Sequence, residues 1–172
     1  KLMNRKHTIE EYLIIYEKLK KINPNIEFSS DFIIGYPDES DDDFKNTMEL
    51  VEKIKFTNSY SFIFSPRPGT VAADLELVDK KKSKKRLEVI QKKLFENQIN
   101  KNRSLEGKIL NVLVENKMKD GIKFFGRTEY MTSVIFDGNT DCIGQVVQIE
   151  ITSSNQNSLF GKLQENYKLK VA

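Results

Sequence analysis

The sequence predicts an α/β fold in its first part and a small all-β barrel in its second part. In residues 1–104, two strand-like runs flank a helical segment, and the connection is long enough for parallel pairing. In residues 105–172, five short strand-like runs are separated by polar turns, a pattern typical of small barrels that bind oligonucleotides. A long lysine-rich helix joins the two parts. We therefore expect one domain over residues 1–104 and a second over residues 105–172.

The first helix is predicted from its two ends. Thr8 and Glu11 have the spacing of a capping box, in which each side chain accepts a hydrogen bond from the other residue's backbone. Pro24 disfavours helical backbone in the residue before it, so the helix is expected to end at Asn23. The apolar face between these ends carries Leu13, Tyr16 and Leu19.

A strand, a helix and a second strand are expected next. Residues 26–34 are rich in β-branched and aromatic side chains and end at Gly35, which predicts a strand. Ser40 and Asp43 form a second capping box, and the helix that it begins has a buried face of Phe44, Met48, Val51 and Ile54. Residues 59–64 are predicted to form the following strand.

The long helix is expected to begin near Asp79 and to bury Leu87, Ile90, Leu94 and Ile99. Its basic run extends from Lys80 to Arg86. Such a run is usually a solvated helix face, and the alternative is a surface that follows RNA phosphates. The barrel strands are predicted at residues 108–115, 122–127, 132–136, 145–152 and 158–163.

Composition narrows the class of protein. The chain has 38% hydrophobic and 31% charged residues, and no apolar run approaches the ~20 residues of a membrane span. Cys142 is the only cysteine, so neither an internal disulfide nor a multi-thiolate metal site is expected, and the reducing cytoplasm is the expected compartment. The chain does not begin with Met and shows no signal segment, which we interpret as a piece of a longer chain.

Three ordered motifs carry a family resemblance: residues 3–8 (MNRKHT), 30–37 (SDFIIGYP) and 60–70 (YSFIFSPRPGT). They resemble the radical S-adenosylmethionine methylthiotransferases, and most closely the branch that modifies isopentenyladenosine beside the tRNA anticodon. Residues 105–172, with the motifs GRT at 126–128 and SLFG at 158–161, resemble the RNA-binding TRAM module of these enzymes. The resemblance implies the last strands of a radical S-adenosylmethionine barrel, a partial TIM-like barrel, followed by an OB-like β-barrel.

The resemblance also implies S-adenosylmethionine and [4Fe-4S] clusters as cofactors of the full-length enzyme. Clusters are held mainly by cysteine thiolates, and the family's cysteine motifs are not in this sequence, so this part alone is expected to be inactive. We assign it no catalytic residue and no metal ligand. The residues expected to bind S-adenosylmethionine are Arg5, Asp31, Ile33, Gly35 and Arg67.

Each of these residues also has a structural interpretation. Ile33 could be barrel core, Gly35 a turn at a strand end, Arg67 the partner of a loop acid, and Asp31 a cap at the barrel edge. Two positions depart from the family pattern. Asp38 stands where the family usually has Gly in a tight loop, and Met131 stands where Asn is common.

The second part mixes cations with aromatic rings, the chemistry that single-stranded RNA requires. Phe124 and Phe125 are strand neighbours, so only one of them can point outward. The expected partner is the tRNA anticodon stem-loop, no membrane is involved, and the oligomeric state is left open. The residues expected to contact RNA are Lys108, Lys123, Phe125, Arg127, Tyr130 and Lys162.

Other functions remain open at this point. A relative that acts on threonylcarbamoyladenosine in tRNA, or one that acts on a ribosomal protein, would share the fold. The resemblance argues against the latter, which tends to carry an acidic residue near Arg67. A stand-alone, non-catalytic RNA-binding protein is the alternative from another class. A Cys-x-x-x-Cys-x-x-Cys motif encoded upstream of Lys1 would favour the enzyme.

Overall fold

The computed structural model describes residue 3 and residues 5–119, 121–138 and 140–164. Each of the two expected domains is therefore described in part. The first domain contains α1 (Ile9–Ile22), β1 (Asp31–Ile34), α2 (Asp41–Ile54), β2 (Tyr60–Ile63), a short 3-10 helix (Val71–Asp74) and α3 (Lys80–Arg103). The second contains β3 (Ile109–Lys117), β4 (Lys123–Thr128), β5 (Ser133–Asp137), a 3-10 turn (Thr140–Cys142), β6 (Val146–Ser154) and β7 (Ser158–Leu163).

The helix ends agree with the sequence. Both expected capping boxes form, at Thr8 for α1 and at Ser40 for α2. Asn23 is the C-cap of α1, and the Asp79 carboxylate caps the first turn of α3. These ends depend on residues three or four positions apart, which is why the local pattern predicts them.

The predicted first strand was too long. Residues 26–30 do not join the ladder, and β1 pairs in parallel with β2 from Asp31 opposite Tyr60 to Ile34 opposite Ile63. Before Asp31 the two segments share isolated contacts, such as the Thr57 N–H donating to the Phe28 carbonyl at 2.9 Å. The β propensity of residues 26–30 is satisfied by packing, because Phe28 joins the domain core.

The core of the first domain lies on one side of the two-stranded sheet. Phe32 and Ile34 point from β1 toward α2 and α3, where they meet the core residues Val51, Ile54, Phe56, Ile90 and Leu94. On the other side of the sheet Ile33 is 41% exposed and Phe62 55% exposed. The helices thus cover one face, and the other face presents apolar side chains to solvent.

The second domain is a closed five-stranded barrel. Its strand order is β3-β4-β5-β7-β6, and β6 returns to pair with β3. All neighbours are antiparallel except β5 and β7, which are parallel. Alternate residues fill the interior, as the period of two predicts, so the five predicted strands and the barrel are confirmed. The interior includes Val112, Phe124, Val134, Phe136, Ile149, Ile151 and Leu159.

A buried amide joins the two domains. Asn102, in the last turn of α3, is fully buried and its Nδ2 donates to the carbonyls of Asn155 at 2.8 Å and Gln156 at 3.1 Å. Its Oδ1 accepts from Gln98 Nε2 at 3.0 Å. Asn102 therefore bonds the end of α3 to the connection between β6 and β7.

One turn of the barrel is strained by its side chain. Met131, between β4 and β5, has φ +60° and its side chain is largely exposed. A left-handed residue with an ordinary side chain costs about 1–2 kcal/mol, whereas Asn adopts this conformation readily. We expect Met131→Asn to raise the free energy of unfolding by about 1 kcal/mol, measured by urea denaturation. Met131→Leu keeps the strain and should give no gain; equal stability of the two variants would contradict the argument.

Candidate functional site

The loops that follow β1 and β2 lie side by side. Because the strands are parallel, both loops leave the same edge of the sheet, and the Phe64 N–H donates to the Ile34 carbonyl at 2.8 Å. The rings of Tyr36 and Phe64 meet edge to face with their centroids 5.0 Å apart. The two loops bound an open cavity of about 840 Å³. Its lining is mostly apolar and includes Ile33, Tyr36, Phe62, Phe64, Arg67 and Val71.

Two of the five expected cofactor residues, Ile33 and Arg67, line this cavity. Ile33 is 41% exposed there, so within the described residues it is not buried core. Thr70 donates to the Arg67 carbonyl through both its N–H, at 3.2 Å, and its hydroxyl, at 2.8 Å, which holds the loop in a turn. No ion pair of Arg67 is found in the described part of the chain. The residue is thus a cation on an apolar wall.

Gly35 is required by a close approach of α3. It has φ +71°, and a Cβ at this position would lie 2.4 Å from the Ser83 hydroxyl oxygen. Its N–H donates to Glu39 Oε2 at 2.9 Å, which leaves that N–H unavailable to a ligand. Asp38, in the same loop, has φ +64°, which explains physically why glycine suits this position.

Asp31 and Arg5 do not line the same cavity. Asp31 is exposed at the start of β1, two residues before Ile33 on the same face. Arg5 borders a separate groove near the start of α1, together with Thr47 and Leu50 of α2. The structure therefore brings Ile33, Gly35 and Arg67 to one end of the sheet. The cofactor-binding roles of all five residues stay predictions.

Arg86 belongs to the basic run that was expected to be solvated, but its side chain is buried. It is 4% exposed, and its guanidinium donates to Glu39 Oε1 at 2.6 Å, to the Glu39 carbonyl at 3.0 Å and to Asp41 Oδ1 at 2.6 Å. It also lies 5.4 Å from the centre of the Phe44 ring. Because Glu39 also accepts from Gly35, Arg86 holds the loop after β1 in place. The sequence pattern missed this residue, since the acids that it meets are more than 40 positions away.

Two lysines of α3 also pair with acids of α2. Lys82 meets Asp41 at 2.9 Å, and Lys93 meets Glu52 at 2.9 Å. Hydrogen bonds from Arg86 and then Lys82 lower the pKa of Asp41. These pairs favour the structural interpretation for part of the basic run, whereas Lys80, Lys81, Lys84 and Lys85 remain exposed.

Four of the six expected RNA contacts share the outer face of the closed barrel. Lys123, Phe125 and Arg127 alternate along β4 with the buried Phe124 and Gly126, and Lys162 lies on the outer side of β7. Phe124 is 1% exposed, so Phe125 is the phenylalanine that points outward. The Arg127 guanidinium lies 5.3 Å from the centre of the Phe125 ring and pairs with Glu115 at 3.0 Å.

The other two expected RNA contacts lie elsewhere. Tyr130 is at the junction of the domains, where Asn58 Nδ2 donates to its carbonyl at 3.1 Å and the Lys101 ammonium lies 5.1 Å from its ring centre. Desolvation and the nearby charges of Glu129 and Glu27 raise the pKa of Tyr130. Lys108 is exposed just before β3. Lys108 and Tyr130 thus lie apart from the group on the outer face, and RNA binding by all six residues stays a prediction.

The described residues fit one of the two expected cofactors, S-adenosylmethionine, but not the other, an iron-sulfur cluster. An apolar cavity of this size with one cation suits a small molecule that combines a flat ring with a carboxylate, as S-adenosylmethionine does. Cys142 is 4% exposed in the barrel core, and the described residues contain no group of three metal-binding side chains. The described residues therefore do not fit an iron-sulfur cluster.

Comparisons with known proteins agree with the motifs. The TRAM domain family matches residues 103–163, which include all five barrel strands. The chain is 80% identical over 171 residues to the tRNA-2-methylthio-N(6)-dimethylallyladenosine synthase of Pelagibacter ubique (strain HTCC1062), covering 99% of this chain. The proteins of the same name from Ruthia magnifica and Anaplasma phagocytophilum are 45% and 43% identical over 95% of it. These relatives confirm the resemblance that the motifs indicate.

The match covers part of each relative. The chain spans 38% of the Pelagibacter ubique protein, 37% of the Ruthia magnifica protein and 38% of the Anaplasma phagocytophilum protein. The relatives are named as enzymes, and most of their length has no counterpart in this sequence. Among the residues that the structure describes, we find no helix with the length and apolar character needed to cross a membrane.

Proposed function

We propose that this chain is the C-terminal portion of a cytoplasmic tRNA methylthiotransferase, which adds a methylthio group to C2 of N6-isopentenyladenosine beside the anticodon. Its part in that enzyme is to back the S-adenosylmethionine site and to bind tRNA. The observation that carries the proposal is the 80% identity to a synthase of this name over 99% of the chain. The exposed apolar face of β1 and β2 supports it, because further strands of a barrel would cover that face.

The cavity between the loops supplies the contacts that the cofactor needs. Ile33 and Phe62 offer apolar surface to an adenine ring, and Arg67 offers a guanidinium to the carboxylate of the methionine moiety. The Glu39 and Arg86 pair keeps the loop after Gly35 in position. When bound in the intact enzyme, S-adenosylmethionine supplies the radical chemistry and the methyl group. The thiolates for the clusters have to come from outside this sequence, because Cys142 is enclosed in the barrel.

The tRNA-binding part lies at the other end of α3. Arg86 and Asn102 are 16 positions apart on this helix, a rise of about 24 Å. At the first residue of β2, Tyr60 borders a groove together with Arg127 and Tyr130, and Phe62, two positions later, lines the cavity. A stem-loop held by the barrel can therefore deliver one base to the cavity.

A chimera tests the proposal. The 171 matching residues of the Pelagibacter ubique relative are replaced by this chain, and the chimera is expressed in a host that lacks the enzyme. Mass spectrometry of tRNA nucleosides should detect 2-methylthio-N6-isopentenyladenosine. A methylthio group on threonylcarbamoyladenosine would instead support an enzyme that acts on that nucleoside. If the relative itself is active but the chimera gives no methylthiolated tRNA, the proposal is contradicted.

The same chimera tests Arg67. We expect Arg67→Ala to raise the S-adenosylmethionine Kd about tenfold or more, because a hydrogen bond to a charged group contributes about 1.5–3 kcal/mol. Equilibrium dialysis with labelled cofactor measures this without turnover. Arg103→Ala removes an exposed arginine at the far end of α3 and should leave the Kd unchanged. Equal Kd values for both variants would remove Arg67 from the site.

A further inference from the structure

Three strands of the closed barrel form a continuous outer face. β4 pairs with β5, and β5 pairs with β7, so residues in register on these strands form rows across the barrel. In the middle row Phe125 is opposite Ile135, and Ile135 is opposite Phe160. All three are half-buried, and their neighbours along each strand fill the interior. Phe125 and Phe160 are therefore two aromatic side chains on one face, with an aliphatic one between them.

The geometry of this row suits bases. Neighbouring strands are about 4.8 Å apart, so the two phenylalanines lie roughly 10 Å from each other across β5. Planar bases stack on aromatic rings and on guanidinium planes, and the Arg127 guanidinium already lies 5.3 Å from the centre of the Phe125 ring. The two rings are spaced widely enough to hold separate bases of one strand.

The rows on either side carry polar groups. One flanking row contains Lys123, Asp137 and Lys162, and the other contains Arg127, Ser133 and Ser158. The nine positions of the three rows thus include three cations, one carboxylate and two hydroxyls. Glu115, outside these rows, pairs with Arg127. A face with cations beside two aromatic rings complements phosphates beside bases.

This arrangement favours unpaired nucleotides over a duplex. The bases of a duplex are stacked on one another, so their faces are not free to contact Phe125 and Phe160. Unpaired bases in a loop can be splayed apart and stacked individually. The sequence motif containing Phe160 gave no sign of this role, because Phe160 is 35 positions from Phe125 and its neighbourhood depends on the parallel pairing of β5 and β7.

We propose that the Phe125, Ile135 and Phe160 row, hereafter the aromatic row, is a stacking site for two unpaired bases of an RNA strand. Lys123 and Lys162 on one side of the row and Arg127 on the other contact the phosphates. The proposal rests on the proposed tRNA-binding function and names the surface and the RNA feature that it recognises.

The test uses the full 172-residue chain and two RNA probes. One is a fluorescein-labelled stem-loop with a seven-nucleotide unpaired loop, and the other is the same stem closed into a duplex without unpaired nucleotides. The unmodified chain should bind the stem-loop more tightly than the duplex. Phe160→Leu keeps an apolar side chain on the surface but removes the ring, so it should weaken stem-loop binding by about tenfold and duplex binding little.

A matched variant separates stacking from general effects. Phe95→Leu removes an exposed phenylalanine of α3 that is not part of the aromatic row, and it should leave both affinities unchanged. Lys162→Gln should make the slope of log K against log salt concentration shallower, by the amount expected for about one lost phosphate contact. Thermal unfolding of each variant checks that the barrel stays folded.

The outcomes distinguish this proposal from the broader one. If the unmodified chain binds neither RNA, both the aromatic row and the proposed tRNA-binding function are overturned. If it binds the stem-loop but Phe125→Leu and Phe160→Leu bind equally well, the aromatic row alone is overturned. Self-association of the chain that Phe160→Leu abolishes would assign this face to a second copy and would also overturn it.

Discussion

Arg86→Met is expected to destabilise the first domain by about 3 kcal/mol, because it leaves the Glu39 carboxylate buried without its cation. The side chain of Arg86 is 5% exposed and that of Glu39 is 12% exposed, so neither charge is well solvated. Asp41, the second partner, is largely exposed and contributes little to this loss. For a chain of this length the melting temperature should fall by about 6–12 °C.

A second variant shows whether the buried charge is the cause. Glu39→Gln combined with Arg86→Met removes both charges and keeps an oxygen that can accept from the Gly35 N–H. We expect it to recover about half of the lost free energy of unfolding, as buried pairs do when both charges are replaced. Lys85→Met, an exposed cation on the same helix, is the control and should change little.

Hydrogen exchange localises the effect of Arg86→Met. Amide protection should decrease first in residues 35–41, the loop that Arg86 holds, and not in the closed barrel. Uniform loss of protection across both domains, or a melting temperature equal to that of Lys85→Met, would contradict the role of this ion pair. In the chimera, a rise in the S-adenosylmethionine Kd without loss of tRNA binding would link the loop to the cavity.

Asn102→Leu is expected to cost about 3 kcal/mol and to separate the two domains. Leucine has a similar size but no polar atoms, so the carbonyls of Asn155 and Gln156 and the amide of Gln98 lose their partner. Each unsatisfied buried polar group costs about 1–3 kcal/mol, and water entering the junction recovers part of this. Urea denaturation measures the loss, and limited proteolysis should cleave the connection between β6 and β7 faster.

Asn100→Leu is the matched control for this prediction. Asn100 lies two positions earlier on the same helix and is exposed, so the same substitution there removes no buried hydrogen bond. Its effect should stay within about 0.5 kcal/mol. If the two leucine variants unfold at the same urea concentration, the carbonyls at the junction are hydrated and Asn102 does not hold the domains together.

Much of the fold could be predicted because the information is local. The capping boxes at Thr8 and Ser40 depend on residues three positions apart, and both formed. The barrel strands follow from alternation between buried and exposed residues, and Phe124 and Phe125 face opposite sides as their adjacency requires. The side-by-side placement of the two loops follows from parallel pairing.

Other features could not be predicted because they depend on distant partners. Residues 26–30 have a strand-like composition, yet they do not take part in the strand pairing with β2, which begins at Asp31. Arg86 sits in a run of lysines, and its burial depends on Glu39, 47 positions earlier. The resemblance groups Arg5 with the cofactor residues, and residue type groups Tyr130 with the RNA contacts. Packing instead places Arg5 in a separate groove and Tyr130 at the domain junction.

For this protein, the sequence by itself determined the element types, the helix ends and the family resemblance, since each is encoded in short spacings or in contiguous motifs. The tertiary structure decided which side chains meet: the Arg86 pair behind the cavity, the Asn102 junction and the aromatic row. The reason is that burial and strand pairing bring together residues tens of positions apart, and the free energy of those contacts has no local signature in the chain.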